Sequence, residues 1–571
     1  MKKIRIALMR SPWRTLTHWE QRLILEIDKH PYLDLVLLIG DDRKNPTIER
    51  GKGKFFSFTK LINFLKIYNL TNMVWMMLIW FEKRLVKISP QRVLTAALKE
   101  KANAIYRNLP ACNLSPTKRG LGGCIDYFSD ADTVAINHYK LDVILRHEFG
   151  FIKGSISQSA TYGIWSLHHG DNNLNRGGPA GFWECYFDQP VVGVTLQKIT
   201  DELDGGLIID KAWHPLVGRK WLPTRELLLE QSVTLVTKNL NLLSTGIFNP
   251  VASRNVYSWP LFKKPELHQI IKYVAVCHIA ARLIYIYKSI LAGRPTDRAK
   301  WQIHIGANNL FGAVLWKSKV LKPPPREFWA DPFLLRHQNK TLIYFERYCY
   351  LSQKATIACG ELDDNGSLIS HPIDLLMGDY HFSYPFLHER NGEIIMLPET
   401  LSNRRLEIWR ATEMPYKWEL WKTALEGKSI GDPTIYKDKD GIDWLFLNIS
   451  EDSFGDHDSF LYIYQIADWE EFTLIPHKLN PVITDVRFAR SAGSIFIDSN
   501  GRVVRPVQQK LFGEYGKTLA LVEIAELSLD IYRQVLLEVV EAKWDKHISR
   551  IHHLSIIDGS KYFAFDTMNY P

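Results

Sequence analysis

The chain has 571 residues, of which 46% are hydrophobic and 23% are charged, as in an ordinary globular protein. This length exceeds what one hydrophobic core supports, so two or three domains are expected. The formal net charge of +9 is small for the length and no Lys/Arg run occurs, which disfavours a nucleic-acid-binding function. The six cysteines form no Cys-x-x-Cys pair, so no metal site is predicted and free thiols in a reducing cytosol are expected.

The chain begins with an alternation of strand and helix patterns. Residues 4–9 form a short apolar run that is broken by Arg10, which predicts a first strand and not a signal peptide. Residues 15–30 have the apolar spacing of a helix, and residues 33–39 form a second apolar strand. This order predicts an α/β domain with a parallel, doubly wound, Rossmann-type sheet. The first turn has no Gly-x-Gly-x-x-Gly sequence, so a dinucleotide-dependent dehydrogenase is disfavoured.

Residues 54–107 contain a long apolar segment that is predicted to be a helical insertion. Its uncharged centre, residues 67–81, has 15 residues, fewer than the ~20 that cross a bilayer. Basic side chains flank this centre at Lys60, Lys66, Lys83, Arg84 and Lys87. A second apolar helix is predicted over residues 270–291. Two hypotheses stay open for both segments: helices that pack against protein, or interfacial helices on an anionic membrane surface.

Residues suited to proton transfer are concentrated in segment 163–206. His168 and His169 lie in a loop rich in Asn and Gly, and Asp204 lies in a glycine-rich turn that follows a predicted strand. A histidine and a carboxylate held on turns are what acid–base catalysis requires, although each turn alone is also typical of a solvated loop. Upstream, a predicted strand ends within residues 141–150, at the carboxyl edge where such sheets bind ligands.

Four short sequence features of this segment follow one another in a set order. His168 lies eight residues before Arg at the Arg-Gly pair 176–177, residues 193–195 are Gly-Val-Thr, and residues 203–206 are Leu-Asp-Gly-Gly. The segment resembles the formyltransferases that use 10-formyltetrahydrofolate, such as methionyl-tRNA formyltransferase and the sugar N-formyltransferases. Where that family has an asparagine, this chain has Ser166.

The resemblance implies a role for each matching residue. His168 is the expected base or oxyanion partner. Asp204 is expected either to orient His168 and raise its basicity, or to relay the amine proton. Ser166 takes the place of the family's asparagine as a hydrogen-bond donor. Because the serine side chain is shorter, His169 or Asn172 is an alternative donor. The remaining expected contacts are His169, Asn172 and Arg176 to the acceptor substrate, and Phe149, Gly150, Asp201, Leu203, Gly205 and Gly206 to 10-formyltetrahydrofolate.

From residue 301 onward the pattern changes to short β-strands, aromatic residues and polar turns. A unit made of a short anchor, a polar turn and an apolar strand occurs five times. Successive anchors lie 48 to 62 residues apart, at Asp331, Tyr384, Asp432, Arg490 and His552. This period fits four-stranded blades and predicts a five-bladed β-propeller.

Two groups of proteins resemble the propeller region, through sequences such as Phe-Trp-Ala-Asp-Pro-Phe at 328–333 and Gly-Asp-Pro-Thr-Ile-Tyr at 431–436. One group is the arabinanase and β-xylosidase glycoside hydrolases. The closer one is the propeller-like domain of plant glucosamine inositolphosphorylceramide transferases. The first resemblance implies a central acidic trio, here Asp331, Glu399 and Asp432.

The polar residues of the propeller have several open interpretations. Asp331 and Asp432 can instead cap blade turns, because Asp-Pro is a common turn dipeptide. Arg490, Arg505 and Gln508 add polar groups that suit a sugar or phosphate ligand at the propeller mouth. Structural or sugar-binding use, glycoside hydrolysis and a transferase role of this half are the three alternatives.

These patterns together predict three parts: a formyltransferase-like domain at 1–250, a helical linker at 251–300 and a glycosidase-like propeller at 301–571. The predicted function is transfer of a formyl group from 10-formyltetrahydrofolate to an amine of an amino sugar, in glycan or lipid-linked sugar biosynthesis. A propeller-centred glycoside hydrolase or glycosyltransferase with a degenerate first domain, and a non-catalytic glycan-binding protein, are the alternatives. The expected location is the cytoplasm, with peripheral association at the inner face of the membrane if the apolar helices are interfacial.

Overall fold

The computed structural model describes residues 2–11, 14–42, 70–87, 94–119, 125–200, 206–248, 250, 257–291, 300–307, 310–376, 378–557 and 562–569. The chain divides into two compact units, Met1–Ile279 with Asp452–Phe454, and Ala280–Glu451 with Gly455–Pro571. The division therefore falls inside the helix predicted over residues 270–291. The physical reason is a hydrogen bond of 2.7 Å from the Trp221 backbone N–H to the Tyr273 hydroxyl, which ties the start of that helix to the first unit.

The first unit contains the predicted strand and helix elements. Its strands are β1 (Ile4–Met9), β2 (Leu33–Asp41), β3 (Ala111–Leu114), β4 (Thr117–Arg119), β5 (Ile125–Tyr127), β6 (Val143–Arg146), β7 (Phe151–Lys153), β8 (Ile164–His168), β9 (Arg176–Gly177), β10 (Val192–Lys198), β11 (Leu207–His214) and β12 (Leu261–Phe262). Its helices are α1 (His18–Lys29), α2 (Leu70–Glu82), α3 (Ala96–Asn108), α4 (Asp130–Asn137), α5 (Phe182–Tyr186), α6 (Trp221–Thr245) and α7 (Leu267–Val274). Helix α1 begins at a capping box formed by Thr17 and Glu20, which satisfies backbone N–H groups of its first turn.

A seven-stranded sheet with the order β11-β10-β8-β6-β1-β2-β3 forms the centre of this unit. Strands β8, β6, β1, β2 and β3 are parallel, as predicted. Strands β10 and β11 make the sheet mixed, because β10 is antiparallel to both β8 and β11. Only eight residues separate the end of β10 from the start of β11, too few for the crossover that parallel strands require. Because β1, β6 and β8 are parallel, their carboxyl ends meet at one edge, where Arg146 pairs with Met9 on one side and Ser166 on the other.

The predicted helical insertion is described in part. Residues 70–87 and 94–107 contain α2 and most of α3, whereas residues 54–69 and 88–93 lie outside the described residues. After α7 the chain continues through a π-helical segment, Ala275–Ala280, into α8 (Ala281–Leu291). Among the described residues, one helical stretch, Leu267–Ile284, is long and apolar enough to cross a membrane by length and composition.

The second unit is a five-bladed β-propeller, as the repeat predicts. Its strands are β13 (Lys300–Ala307), β14 (Lys319–Leu321), β15 (Glu327–His337), β16 (Lys340–Cys349), β17 (Lys354–Leu362), β18 (Ile373–Leu376), β19 (Ser383–Arg390), β20 (Glu393–Glu399), β21 (Leu406–Glu413), β22 (Lys417–Ala424), β23 (Ser429–Lys437), β24 (Asp443–Ser450), β25 (Leu461–Asp468), β26 (Thr473–Pro476), β27 (Phe496–Ile497), β28 (Val503–Leu511), β29 (Glu514–Leu527), β30 (Tyr532–Val540), β31 (Ile548–Ile556) and β32 (Tyr562–Asn569). The five sheets are β15 to β18, β19 to β22, β23 to β26, β27 to β30, and a closing blade β14-β13-β32-β31. The closing blade joins strands from both ends of this unit, which closes the ring of blades.

Candidate functional site

The carboxyl edge of β6 and β8 brings several predicted site residues together. Arg146 ends β6, and its guanidinium donates a hydrogen bond of 3.0 Å to Ser166 Oγ. It also donates to the carbonyl oxygens of Phe149 and Gly150, each at 2.8 Å. Asp126 Oδ2 accepts from the Gly150 N–H at 2.5 Å. Arg146 therefore joins Ser166, which stands where the family has an asparagine, to the loop that was predicted to contact folate. From the sequence, Arg146 was interpreted only as the end of a strand.

A carbonyl oxygen holds the His168 imidazole in place. His168 Nε2 lies 2.6 Å from the carbonyl oxygen of Asn175, at the far end of the same loop. Because a carbonyl oxygen only accepts hydrogen bonds, Nε2 carries a proton. In the neutral ring Nδ1 is then the acceptor, which is the state that a general base requires.

The Gly-Val-Thr motif packs against the His168 loop. Thr195 pairs with His168 across β10 and β8, and its hydroxyl donates to the Gly170 carbonyl oxygen at 3.0 Å. At Gly193 a Cβ would lie 2.8 Å from both the backbone nitrogen and the Cβ of Asp171, so a side chain there would displace the loop. The Gly-Val-Thr sequence is therefore explained by close approach of the loop to β10.

Asp171 anchors this loop to β11. Its Oδ1 accepts from Lys211 Nζ at 2.6 Å, and its Oδ2 accepts from Trp213 Nε1 at 3.2 Å. Burial acts to raise the pKa of Asp171, but the hydrogen bond from Lys211 and a backbone N–H outweigh it and lower the pKa below its usual value. The carboxylate is charged and fully engaged, so its role is to position the loop.

His169 lies on the wall of a cavity of about 690 Å³, together with Ser166, Arg146 and His147. Its Nε2 is buried without a hydrogen-bond partner among the described residues, and burial lowers the pKa of the ring to about 3. The ring is therefore neutral near pH 7 and offers an unsatisfied polar atom. A cavity of this volume is typical of a small-molecule site.

Asn172 and Arg176, which were predicted to contact the substrate, contact each other. Arg176 Nε donates to the Asn172 carbonyl oxygen at 3.0 Å, and its guanidinium lies 4.4 Å from the centre of the Tyr257 ring. These contacts hold Arg176 within the protein. The side-chain Oδ1 of Asn172 is buried without a partner among the described residues, so this atom keeps the capacity to bind a ligand.

The predicted acidic turn is only partly described. Asp201, Leu203, Asp204 and Gly205 lie outside the described residues, so the predicted pair of His168 and Asp204 stays a prediction. Gly206 lies against the carbonyl oxygen of Lys198, from which an added Cβ would be 2.4 Å. Lys198 pairs with Trp165, three residues before His168 and thus about 10 Å away along the strand.

The centre of the propeller forms the second cluster of predicted residues. Asp331, Tyr384 and Asp432 have φ values of 51°, 49° and 45°, each at a bulge in the first strand of its blade. This left-handed conformation costs a non-glycine residue about 1–3 kcal/mol. All three side chains are buried. The same backbone strain in three consecutive blades is typical of a functional centre.

Asp331 belongs to a chain of hydrogen-bonding groups that spans two blades. His552 Nδ1 lies 2.6 Å from Asp566 Oδ1, and its Nε2 lies 3.4 Å from Asp331 Oδ1. Burial acts to lower the pKa of His552, but Asp566 and Asp331 raise it to about 9, so the ring is a cation near pH 7. His552 was recognised as an anchor of the fifth repeat, whereas no local signal marked Asp566.

Asp331, His552 and Asp566 are also the one group of described residues whose ligand atoms lie close enough to hold a metal ion. Asp566 already accepts hydrogen bonds from the backbone N–H groups of Asp331, His552 and His553 as well as from the His552 ring. These donors occupy both carboxylate oxygens. The donor set therefore fits a hydrogen-bonded relay better than a metal site.

Arg490 holds the other two members of the predicted acidic trio. It donates to Asp432 Oδ2 at 2.6 Å, to Glu399 Oε2 at 3.1 Å and to Asp458 Oδ1 at 3.0 Å. Gln508 Nε2 also donates to Asp432 Oδ2, at 2.8 Å. Burial raises the pKa of Asp432 to about 7, and Arg490 opposes this shift. Two members of the predicted trio, Asp432 and Glu399, therefore contact Arg490, whereas Asp331 contacts His552.

The turn-cap interpretation of Asp331 and Asp432 is wrong. Hairpin caps do occur, at Asp363, Asp438 and Asp498, each of which accepts two backbone N–H groups from its own turn. Asp331 instead accepts from the Tyr384 N–H of the next blade, and Asp432 binds Arg490.

Arg505 has a different position from the predicted one at the propeller mouth. It is fully buried, and it donates to the carbonyl oxygens of Phe488 and Ala489 and to Gln534 Oε1. These contacts support the backbone that leads into Arg490. They exclude Arg505 from the carboxylate cluster and give it a structural role.

The chain is similar to known proteins over part of its length. Residues 299–564 match the family described as Glucosamine inositolphosphorylceramide transferase 1, N-terminal. The protein named Glucosamine inositolphosphorylceramide transferase 1 from Arabidopsis thaliana is 31% identical over 218 residues, which are 37% of this chain and 27% of that protein. Its namesake from Oryza sativa subsp. japonica is 29% identical over 241 residues, which are 40% of this chain and 31% of that protein. The chain thus spans less than a third of these curated relatives, which are named as transferases.

Solved structures resemble each unit at low TM-scores. Glycinamide ribonucleotide transformylase 1 from Symbiobacterium toebii has a TM-score of 0.28 at 13% identity, covering 45% of this chain and 94% of its own. A sugar N-formyltransferase from Shewanella has a TM-score of 0.27 at 13% identity, covering 48% and 87%. A thermostable family-43 glycoside hydrolase has a TM-score of 0.32 at 15% identity, covering 42% and 88%. At these scores the likenesses carry no argument about function.

Proposed function

We propose that this chain is an N-formyltransferase that moves a formyl group from 10-formyltetrahydrofolate to the amine of an amino sugar. The observation that carries the proposal is the convergence of the spaced motifs on one loop. Thr195 and Gly193 hold the loop against β10, and a carbonyl oxygen holds the His168 ring. The Gly-Val-Thr sequence of β10 and the carbonyl oxygen of Asn175 thus position one imidazole.

The chemistry needs a base for the attacking amine and a donor for the oxyanion that forms. In our proposal His168 Nδ1 accepts the amine proton as the amine nitrogen bonds to the formyl carbon. It returns this proton to N10 when the bond from the formyl carbon to N10 breaks and tetrahydrofolate leaves. The Arg146 guanidinium, 3.0 Å from Ser166 Oγ, supplies positive charge that the family's asparagine lacks. A charged donor beside the serine compensates for its shorter side chain.

The residues at this edge fit a folate-sized ligand. The cavity of about 690 Å³ carries the unsatisfied Nε2 of His169, and Phe149 packs near Phe128 at 5.8 Å between ring centres. When bound, 10-formyltetrahydrofolate would supply the activated formyl carbon. The carbonyl oxygens of Phe149 and Gly150 already accept from Arg146, so their expected contribution is apolar contact and shape.

The acceptor is proposed from the second unit. Its match to proteins named for glucosamine and inositolphosphorylceramide supports a sugar acceptor, in free, nucleotide-linked or lipid-linked form. The buried carboxylates at Asp331, Glu399 and Asp432 suit a polyhydroxyl ligand that carries an amine. We propose the propeller as the unit that binds the sugar.

The proposal is tested with purified full-length chain, formyl-labelled 10-formyltetrahydrofolate and a panel of amino sugars with matched N-acetyl sugars. Label is expected in products of the free-amine sugars and absent from the N-acetyl controls. Calorimetry with 5-formyltetrahydrofolate, which does not donate its formyl group in this assay, measures binding separately. Absence of folate binding would overturn the proposal and direct attention to the propeller.

A second candidate function is sugar binding or glycoside chemistry at the propeller centre, and the repeated backbone strain at Asp331, Tyr384 and Asp432 favours it. Asp331→Asn is expected to weaken binding of a methyl glucosaminide at least tenfold with little loss of stability, because it replaces a carboxyl acceptor oxygen by an amide NH₂ and keeps the shape of the side chain. Asp438→Asn, at a true turn cap, is the control and should leave binding unchanged. Equal binding by both variants, measured by calorimetry, would exclude the propeller centre as the sugar site.

A further inference from the structure

Helix α2 exposes apolar side chains and buries its charged side chain, the reverse of a surface helix in a soluble domain. Met76, Met77 and Trp80 are 56%, 68% and 63% exposed, whereas the only charged residue of the helix, Glu82, is fully buried. Trp75 lies on the buried side with Glu82. A helix on the surface of a soluble domain normally buries its apolar stripe and exposes its charges.

The α7 helix and the π-helical segment after it bury Ile270 on their inward side and also expose apolar side chains. Ile271, Val276 and Ile279 are exposed, at 56%, 39% and 55%. The side chains that face inward include Tyr273 and Cys277, which are buried. We name the exposed set the apolar face: Met76, Met77, Trp80, Phe81, Ile271, Val276 and Ile279.

Glu82 fixes the orientation of both helices. Its Oε1 accepts from the Tyr273 hydroxyl at 2.5 Å and lies 2.7 Å from His278 Nε2. Its Oε2 accepts from the Leu222 N–H at 2.7 Å, in the first turn of α6. Turning α2 to bury the apolar face would expose this carboxylate and break all three contacts. The exposure of the apolar face is therefore built into the packing.

Positive charge surrounds the apolar face. Segments 70–87 and 261–279 contain six Lys or Arg residues and two carboxylates, and one of those carboxylates is the buried Glu82. The Arg84 guanidinium lies 3.3 Å from the centre of the Trp80 ring, which places a cation beside an exposed indole. Lys83 and Lys264 are also exposed. A tryptophan and basic residues beside an apolar face are typical of an interfacial membrane helix.

We propose that the apolar face docks on an anionic lipid surface, lying in the interface without crossing the bilayer. The excess of cations matches the charge of such a surface. A second copy of the chain is a less suitable partner for the apolar face than a lipid surface, because a two-fold contact would place like charges opposite one another. Crossing is disfavoured because the inward side of the same helices carries Glu82, Tyr273 and His278, which are bound to protein. This inference is independent of formyl transfer.

The test is flotation of the full-length chain with vesicles of phosphatidylcholine, alone or with one quarter phosphatidylglycerol. Binding is expected only to the anionic vesicles, and it should fall at least tenfold between 0.1 and 0.5 M salt because the attraction is screened. Equal binding to both vesicles, or binding that resists both high salt and alkaline carbonate, would overturn the proposal.

Paired variants identify the surface. Met77→Asp with Trp80→Asp, and separately Lys83→Glu with Arg84→Glu, are each expected to reduce bound protein about tenfold. Leu351→Asp is the matched control, since this leucine is 71% exposed in a propeller turn. Circular dichroism must give the same thermal midpoint for all variants. A dimer in light scattering that Met77→Asp dissociates would instead assign the face to a second copy and refute lipid docking.

Discussion

Replacing His168 by Ala is expected to lower the rate of formyl transfer by about 10²–10⁴, the usual contribution of a positioned acid or base. The Nε2 contact to the Asn175 carbonyl oxygen leaves Nδ1 as acceptor, and alanine removes both. If Asp204 acts on the same proton, His168→Ala with Asp204→Asn should be little slower than either single variant, because linked groups are not additive. Transfer of labelled formyl under saturating folate is the measurement.

A histidine of the first unit provides the control for this experiment. His138 follows α4 and is exposed, so His138→Ala should keep full activity. The neighbouring His169 gives the decisive comparison, because it is His169 that lies on the cavity wall. If His169→Gln abolishes transfer while His168→Ala retains it, the acid–base role belongs to His169 and our assignment is incorrect.

Replacing Arg490 by Met is expected to destabilise the propeller by about 3–5 kcal/mol, the cost of breaking a buried ion pair by removing one partner. Asp432, Glu399 and Asp458 would each lose their guanidinium contact in a buried site. Urea unfolding monitored at the propeller is the measurement. Adding Asp432→Asn to Arg490→Met should recover part of the loss, because it removes one uncompensated charge.

The matched control for Arg490 is Arg533, whose ion pair with Glu526 is about half exposed on both sides. Surface pairs of this kind contribute ~0–1 kcal/mol, so Arg533→Met should unfold at nearly the wild-type urea concentration. Similar losses for Arg490→Met and Arg533→Met would mean that the central network does not stabilise the propeller. If Arg490→Met prevents folding altogether, the partial rescue by Asp432→Asn still tests the network.

Local patterns predicted much of the fold. Residues 4–9 and 33–39 are apolar runs, and they form β1 and β2 because buried parallel strands need apolar side chains on both faces. The five blades were found because each hairpin turn and each following strand leaves a signal within a few residues. The sequence predicted a parallel sheet, whereas β10 is antiparallel to β8 and β11. This antiparallel edge was not predicted, because residues 201–206 were interpreted as part of a catalytic motif.

The sequence by itself determined the α/β start and the propeller, since each depends on spacing between near neighbours. His168 was predicted in a loop, and the structure places it at the end of β8. Only the tertiary structure decided which polar groups meet. Asp331 and Asp566 lie 235 residues apart, and Arg146 reaches Ser166 across two strands. The sequence also left undecided which side of α2 faces the protein, because a helix that is apolar all round has no distinct polar side. One buried carboxylate, Glu82, decides it, since its three hydrogen-bonded contacts exist in a single orientation of the helix.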